Sequence, residues 1–477
     1  MSNSSVRHEQ SMSALAFTLD RDQPTPLFEQ ICAALRQQIV AGALPEGYRL
    51  PATRSLAVEL GVARSTVVTA YEQMQAEGYI SGRQGAGYNV CAMGEVEVAA
   101  ACQPRAQPPF EDMSRSPLPF SGGEPDMRLF PHRRWGQCVA RICRNAPEAL
   151  LDGGAALGNA DLRRSIASYV ADWRGLSVGP HQVIITAGAG DALDLCLRTI
   201  AQKGHAIGLE DPGYIPLRRI VEGQGLLRTS VWVDESGACV PQGDAELRAV
   251  VLTPSHQFPL GGAMAPGRRA EFLDWAQKSK AWIIEDDYDS EFRYAGRPIP
   301  AMAGFEGSNR TVYVGSFSKT FSNRLRIGYL IAPEALLPAL QDRLHRVGSR
   351  ASVMPQQALA AFIDSGEFYR HLRRMRRIYA ERRKHLLSRL AAEFAEFGHA
   401  LDQGAGMQIV FHLRPGLNDA EICLRAKGAG LGLQPLSGFA VKADGLNGLV
   451  LGCCHMNEQE VDLGLTRLAQ ILDETSG

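Results

Sequence analysis

The sequence predicts an α+β chain in two parts. Three helices closed by a hairpin come first, then a larger α/β domain with a mainly parallel sheet and a smaller flanking domain. Three observations carry that expectation. From Pro26 to Ala41, Leu27, Ile31, Leu35 and Ile39 recur every four residues, which is one face of a helix. After about residue 150, short apolar runs alternate with helical stretches, the rhythm of strands and crossovers. Between these regions, residues 91–118 are rich in Ala, Pro, Gln and Ser without periodicity, the composition of a linker.

Residues 1–18 are polar and read as a tail. The first helix is followed by a second over Thr53 to Leu60, and "GVAR" (Gly61 to Arg64) turns into a third running to about Glu77. "YISGRQGAGYNV" (Tyr79 to Val90) has strand residues at both ends and glycines between, a hairpin pattern. Beyond the linker, "QVIIT" (182–186), "HAIGL" (205–209), "AVVL" (249–252), "AWII" (281–284), "TVYV" (311–314) and "IGYLI" (327–331) suit buried parallel strands. Five polar or glycine-rich segments follow such runs at once: "TAGAG", "EDPGY", "TPSHQFPLG", "EDDYD" and "GSFSK". Open α/β sheets bind ligands beyond the carboxyl ends of their strands, so these segments mark a site. From about residue 345 the chain is helix-rich and then strand-like again, which gives the flanking domain.

A chain of 477 residues is too long for one core, at about 100–200 residues per domain. Apolar residues make up 45% and charged ones 21%, ordinary values for a globular protein. "MSNSSVRHEQ" is polar with no apolar segment behind it, and no run reaches the ~18 apolar residues of a membrane span. Ten scattered cysteines, with no CxxC pair and no His/Cys cluster at metal spacing, fit free thiols in a reducing compartment. A cytoplasmic location, with no membrane partner and no metal, is therefore expected. The net charge is −1, so any nucleic-acid binding has to come from locally placed arginines.

The first module can place them. A helix beginning near Arg64 puts Arg64, Ser65 and Thr66 at its N-terminus, where side chains and backbone N–H groups meet phosphates and base edges. Arg54 on the preceding helix, and Arg83 with Gly85 in the hairpin, flank the same groove. The same residues also suit a helical protein–protein module with solvated arginines. Over residues 24–90, "LPATRSLAVELGVARSTVVTAYEQMQAEGYISGRQGAGYNV" and its flank closely resemble the GntR regulator family, with its winged helix-turn-helix plan. The resemblance implies binding to half-sites of double-stranded operator DNA.

"GSFSKTFSNRLRIGYL" (Gly315 to Leu330) holds one lysine, Lys319, between two serines and an arginine pair. Anchoring an aldehyde cofactor takes a lysine amine, an acid for the ring nitrogen, a donor for the ring oxygen, a stacking aromatic and phosphate donors. The strand-end segments offer a candidate for each. Alone, the residues leave other readings open: a solvated lysine, an acidic or metal-binding "EDDYD", a plain turn at Pro-Gly-Tyr. In sequence from "FSGGEPDMRLFP" (Phe120 to Pro131) to the C-terminus, the segments look like a class I aminotransferase of fold type I. Behind a GntR-type module, the whole chain resembles the MocR family of regulators.

That resemblance implies a DNA-binding domain over 19–90, a linker over 91–118 and an aminotransferase-like domain over 119–477 that binds pyridoxal 5'-phosphate. Lys319 matches the lysine of the internal aldimine, Asp286 the pyridinium partner, Tyr288 the O3′ donor and Tyr214 the stacking ring. Ser316, Ser318 and Arg326 match positions at or near the phosphate, and Ala189 and Gly190 match its backbone donors. His256 and Gln257 follow the MocR pattern. A head-to-tail homodimer is implied as well, each linker reaching the other subunit. Its 28 residues span about 30 Å as a coil and roughly 90 Å if stretched, which permits that reach.

The chain departs from the enzymes it resembles. Phe258 stands where an O3′-bonding asparagine is expected, and Val450 of "GLVLGCC" where an arginine clamps an α-carboxylate. Asn323-Arg324 replaces Pro-Gly, and "LLDGGAALG" lacks the tyrosine that reaches a partner's phosphate. The expected function is a pyridoxal-phosphate-dependent transcriptional regulator that senses a small amine or amino acid, or the cofactor itself, by aldimine exchange at Lys319. Arg218, Arg219 and Arg324 are candidate anion partners for the effector. Without the clamp, a sulfonate, an ω-amino acid or the cofactor is favoured over a common α-amino acid. The alternative is a working aminotransferase with an accessory DNA-binding module. "RRMRRIYAERRK" (Arg373 to Lys384) reads as a solvated helix face or a supplementary DNA contact.

Overall fold

The structure, a computed structural model, describes residues 17–83, 87–92, 117–145, 155–242, 246–442 and 445–476. Gly85, residues 1–16 of the expected tail 1–18 and nearly all of the stretch expected as linker lie outside the described residues. The chain divides into two compact units, Met1–Met113 and Ser114–Gly477.

In the first unit, α1 (Leu27–Val40), α2 (Thr53–Glu59) and α3 (Arg64–Ala76) precede a hairpin of β1 (Ile80–Arg83) and β2 (Gly87–Val90). The four-residue stripe explains α1, since Ile31, Leu35 and Ile39 are buried against Leu56, Val67, Tyr71 and Met74. Tyr71 anchors the centre by donating to Pro51 O at 3.1 Å. The hairpin register runs from Ile80↔Val90 to Arg83↔Gly87, and Gly87 takes φ +86°, a left-handed conformation open to glycine.

The second unit is built on an eight-stranded sheet. Its strands are β3 (Val183–Thr186), β4 (Ala206–Asp211), β5 (Leu227–Asp234), β6 (Gly237–Ala238), β7 (Leu247–Leu252), β8 (Trp282–Asp287), β9 (Thr311–Ser316) and β10 (Gly328–Ile331). Their order is β3-β10-β9-β8-β7-β4-β5-β6. The pairs β5–β4, β4–β7, β7–β8 and β8–β9 are parallel, whereas β10 runs antiparallel to both β3 and β9. All six apolar runs are strands, and alternate side chains explain why they are apolar throughout. Ile184, Val312 and Val314 enter the core on one face, while Val183, Ile185 and Tyr313 enter the core on the other. β5 escaped the sequence pattern because its outer position leaves Leu227, Arg228 and Trp232 exposed.

The flanking part carries a four-stranded antiparallel sheet of β11 (Gly398–Ala400), β12 (Gln408–Leu413), β13 (Gln434–Pro435) and β14 (Gly448–Gly452), in the order β11-β12-β14-β13. The basic stretch lies in the long helix Glu367–Glu393. Part of it is structural. Arg382 pairs with Asp126 and Arg383 with Asp402, each at 2.9 Å, and Arg376 covers the Trp173 ring. Arg373, Arg374 and Arg377 stay exposed. Among the described residues no helix is long and apolar enough to cross a membrane.

Candidate functional site

Because β4, β7, β8 and β9 are parallel and β10 is antiparallel to both β9 and β3, the carboxyl ends of β3, β4, β7, β8 and β9 share one edge. There they border a cleft of about 600 Å³, a size suited to a small organic ligand. Ala189, Gly190, Tyr214, Asp286, Tyr288, Ser316, Ser318, Lys319 and Arg326 all line it. Of the three arginines considered as anion partners, the cleft takes Arg219 alone. The Arg218 guanidinium is instead used on the carbonyl of Phe439, and Arg324 is exposed away from the lining. A second hollow of about 170 Å³ is less suited to a ligand, because its Arg198 and Arg350 are already paired with Asp194.

Lys319 sits one turn beyond β9 and donates from Nζ to Gly123 O at 2.6 Å. Gly123 takes φ +68°, a left-handed conformation that favours glycine, and a Cβ there would stand 2.8 Å from that amine. Burial pushes the Lys319 amine below its ordinary range, against the opposing pull of Glu124, Asp289 and Asp286. Asp286, near the end of β8, is 7% exposed, and its Oδ1 has no hydrogen-bond partner among the described residues. Burial, then the neighbouring charges of Asp287, Glu210 and Asp289, raises its carboxyl to about 7. Such a group gains from a hydrogen-bond donor or cation placed against it.

Tyr288 is oriented from behind. His256 Nδ1 lies 2.8 Å from the Tyr288 hydroxyl and 3.0 Å from Asp289 Oδ1. A carboxylate oxygen only accepts, so Nδ1 carries the proton and forks it between the two oxygens. The phenol therefore accepts from His256 and keeps its own proton for the cleft. Burial and the flanking carboxylates hold that proton well above the usual tyrosine range. Phe258 forms edge contacts with Tyr214, Tyr288 and Phe439 at 5.7, 5.8 and 5.3 Å between ring centres. It makes this wall of the cleft aromatic.

At the other end, Gly188 turns with φ +104° into the helix Ala189–Ile200, which no side chain caps. Its N-terminus is suited to an anion. Gly328 of β10 permits the close approach, since a Cβ there would stand 2.6 Å from the Gly188 carbonyl carbon. Ser316 and Ser318 are joined through their hydroxyls at 2.9 Å.

Sequence reasoning missed several contributors. Arg174, buried at the end of the helix Ala160–Arg174, pairs with Asp287 at 2.8 Å and so fixes the strand carrying Asp286. Glu210 accepts from Thr253 N and Oγ1 and braces the next loop. Asn323, noted only as an oddity, donates to Glu124 at 2.8 Å and ties the lysine loop to the "GGEPD" segment. Gln408 and Gln434 line the cleft from the small sheet. An arginine at the end of a helix and a glutamine on a strand carry no local signal. Their roles come from what they face.

In the first unit, α3 begins at Arg64 after the extended residue Ala63, and no side chain caps it. Arg54, Arg64 and Ser65 are exposed and Thr66 half-buried, with Arg64 Nε reaching Thr53 Oγ1 at 3.4 Å. Arg83 is the last residue of β1. Arg36, by contrast, is committed to Glu77 at 2.7 Å.

Residues 128–468 match the family model "Aminotransferase class I and II", and residues 27–90 match "Bacterial regulatory proteins, gntR family". The solved structure of LysN, an α-aminoadipate aminotransferase from Thermus thermophilus, is similar at 27% identity and TM-score 0.66, over 75% of this chain and 92% of that one. A kynurenine aminotransferase from Pyrococcus horikoshii shares the fold at TM-score 0.68 and 23% identity, over 76% of this chain and 92% of its own. The HTH-type pyridoxine biosynthesis transcriptional regulator PdxR of Corynebacterium glutamicum is 35% identical over 78% of this chain and 80% of its own length. The probable rhizopine catabolism regulatory protein MocR of Rhizobium meliloti is 33% identical over 96% of this chain and 97% of its own length. A likeness that runs through both units at once leaves one conclusion: the chain belongs to the MocR-type family of DNA-binding transcriptional regulators, in which a GntR-family domain precedes a class I and II aminotransferase domain.

Proposed function

We propose that the second unit binds pyridoxal 5'-phosphate and that the chain is a regulator answering to a primary amine. The observation that carries this reading is the meeting, in one cleft, of a half-buried lysine and a buried carboxyl with an unpartnered oxygen. Asp286 would accept from the ring nitrogen, Tyr288 would donate to the ring's phenolic oxygen, and Tyr214 would cover a ring face. Ser316, Ser318, Arg326 and the N–H groups of Ala189 and Gly190 would hold the phosphate. When bound, the cofactor supplies an aldehyde that condenses reversibly with a primary amine, Lys319 or an effector's amine in exchange.

The depressed Lys319 pKa enlarges the fraction of neutral, nucleophilic amine near neutral pH. Its contact with Gly123 gives a route outward. The segment before Gly123 is hydrogen-bonded to the flanking part, from Gly452 N to Phe120 O at 2.9 Å and from Gly432 N to Pro119 O at 2.7 Å. A change at Lys319 therefore bears on the small sheet, the kind of two-state element a ligand can bias. Arg54, Arg64, Ser65 and Thr66, with Arg83 and Gly85, would face the operator. A head-to-tail homodimer would present two such modules to half-sites, each carried by the linker over 91–118.

Lys319→Ala is the decisive variant. It should abolish the visible absorption of the lysine-linked cofactor and every effector response, while affinity for operator DNA stays within about twofold. A variant that still answered the effector would remove the mechanism. Val450 weighs against a general aminotransferase, since it is fully buried among apolar side chains and supplies no carboxylate clamp. Sustained turnover with several amino donors and keto acids would reverse that weighing.

A further inference from the structure

The chain just past β14 carries two adjacent cysteines, Cys453 and Cys454, both buried. Within a strand, neighbouring side chains point to opposite faces. Here the strand has ended at Gly452, and both sulfurs turn to one acceptor. Met407 O accepts from Cys453 Sγ at 3.4 Å and from Cys454 Sγ at 3.6 Å, and the two sulfurs stand 3.9 Å apart. Met407 lines the cleft, so the pair lies one residue behind its surface. Cys454 is also among the groups acting on Lys319. The hydrogen bond with Cys454 pulls the Cys453 thiol below its ordinary range, against burial and with help from Arg383 and Arg382. The same turn grips the segment that leads to the cleft. Gly452 N donates to Phe120 O at 2.9 Å, Phe120 N donates to Met456 Sδ at 3.3 Å, and His455 Nε2 lies 3.1 Å from Leu118 O. Just beyond Phe120, Gly123 O holds the Lys319 amine.

We propose that Cys453 and Cys454 form a site of reversible oxidation, at which hydrogen peroxide converts the two thiols to a vicinal disulfide and shifts the turn that holds Leu118 and Phe120. The Cys453 sulfur attacks one peroxide oxygen, the O–O bond breaks, and the thiol proton leaves with the other oxygen as water. The Cys454 sulfur then attacks the Cys453 sulfenic sulfur, the S–O bond breaks, and hydroxide leaves with the Cys454 proton as a second water. Two electrons pass from the sulfurs to the peroxide. Bonding draws the sulfurs from 3.9 Å to about 2.05 Å and removes both S–H donors from Met407 O. Adjacent Cα atoms stand ~3.8 Å apart, closer than the ~4.4 Å at which ordinary disulfides begin, so ring closure bends the backbone of the turn. That strain also favours reopening by thiols. The oxidation site is independent of the cofactor reading above, whereas its bearing on Lys319 rests on it.

The test treats reduced full-length protein with hydrogen peroxide at the lowest dose that oxidises the exposed Cys143. Free thiols are then alkylated in denaturant, and the tryptic peptide 443–467, whose cysteines are Cys453 and Cys454 alone, is weighed. The expected result is an unalkylated peptide lighter than the dithiol by two hydrogens, returned to the dithiol by dithiothreitol. In parallel, pyridoxal phosphate is titrated by absorption, and its half-saturation should rise about threefold or more on oxidation and recover on reduction. Cys454→Ala should keep the value of the reduced protein and lose the peroxide response. Should that variant not fold, Cys453→Ala answers the same question. A peptide alkylated on both sulfurs after treatment overturns the site. A disulfide that leaves half-saturation unchanged, or a cysteine variant that still responds to peroxide, overturns its bearing on Lys319. A protein without any cofactor band overturns the cofactor reading, while the peptide still decides the oxidation site.

Discussion

Two walls of one cleft follow opposite rules. The wall formed by the ends of β8 and β9 is dense with buried charge: Asp286 and Asp289 lie close to Lys319, with Asp287 beside Asp286, backed by Arg174 and His256. On the side of the small sheet Gln408, Gln434 and Phe439 line the cleft, and Val410, Leu436 and Val450 pack with Phe439 in an apolar cluster outside that lining. Charge can be buried only where partners are already in place, and the strand ends supply them rigidly. The small sheet instead brings glutamine amides and an aromatic ring to the cleft.

That contrast can be broken most forcefully at Val450. Val450→Arg places a charge in the apolar cluster without a carboxylate to receive it, and should cost about 4 kcal/mol in urea denaturation. If the variant were as stable as the parent and bound α-amino acids, the two walls would not differ as described.

A somewhat smaller effect concerns pH. Asp286 and Glu210 are both raised to about 7 from ordinary values of 3.8 and 4.5, chiefly by burial. The folded state thus binds their protons more tightly than the unfolded one. The stability they contribute is complete below their unfolded values and is lost as pH rises through about 7. Cofactor-free protein should therefore lose up to a few kcal/mol of stability between about pH 5 and about pH 8. Bound cofactor should narrow that loss, because a ring N–H stabilises the ionised Asp286. Thermal melts of both forms across this range check it, and equal slopes would sink the role given to Asp286.

Asp286→Asn removes the charged acceptor while keeping the shape. Cofactor retention in equilibrium dialysis should fall about tenfold to a hundredfold, with operator affinity unchanged. The finest test is His256→Phe, which frees the Tyr288 hydroxyl to turn. The pH at which the bound cofactor's absorption changes should move by about one unit. A shift in melting temperature alone would make His256 a packing residue.

The parts legible in the sequence are those in which neighbouring residues carry the information. The stripe Ile31, Leu35, Ile39 marks α1 by itself, and the six apolar runs mark six strands, because burial on both faces demands unbroken hydrophobicity. The strand-end residues were legible for a related reason. In an open parallel sheet the chain ends each strand at one edge, so strand-to-loop boundaries far apart in the chain, such as those at Ala189 and Lys319, are bound to converge. Arg218 and Arg324 show the limit of that reasoning, since adjacent arginines look alike in sequence and only packing separates the one facing the cleft.

The sequence alone therefore determined the two-part architecture, the sheet and the strand-end cluster around Lys319, all consequences of local periodicity and fixed chain direction. Tertiary structure alone decided the rest. It turned His256 into the support of Tyr288, buried Val450 in an apolar face, and left Gln408 with a donor unspent. Those outcomes depend on which side chain stands opposite which across strands far apart in the chain, and no periodicity within a strand encodes its neighbour.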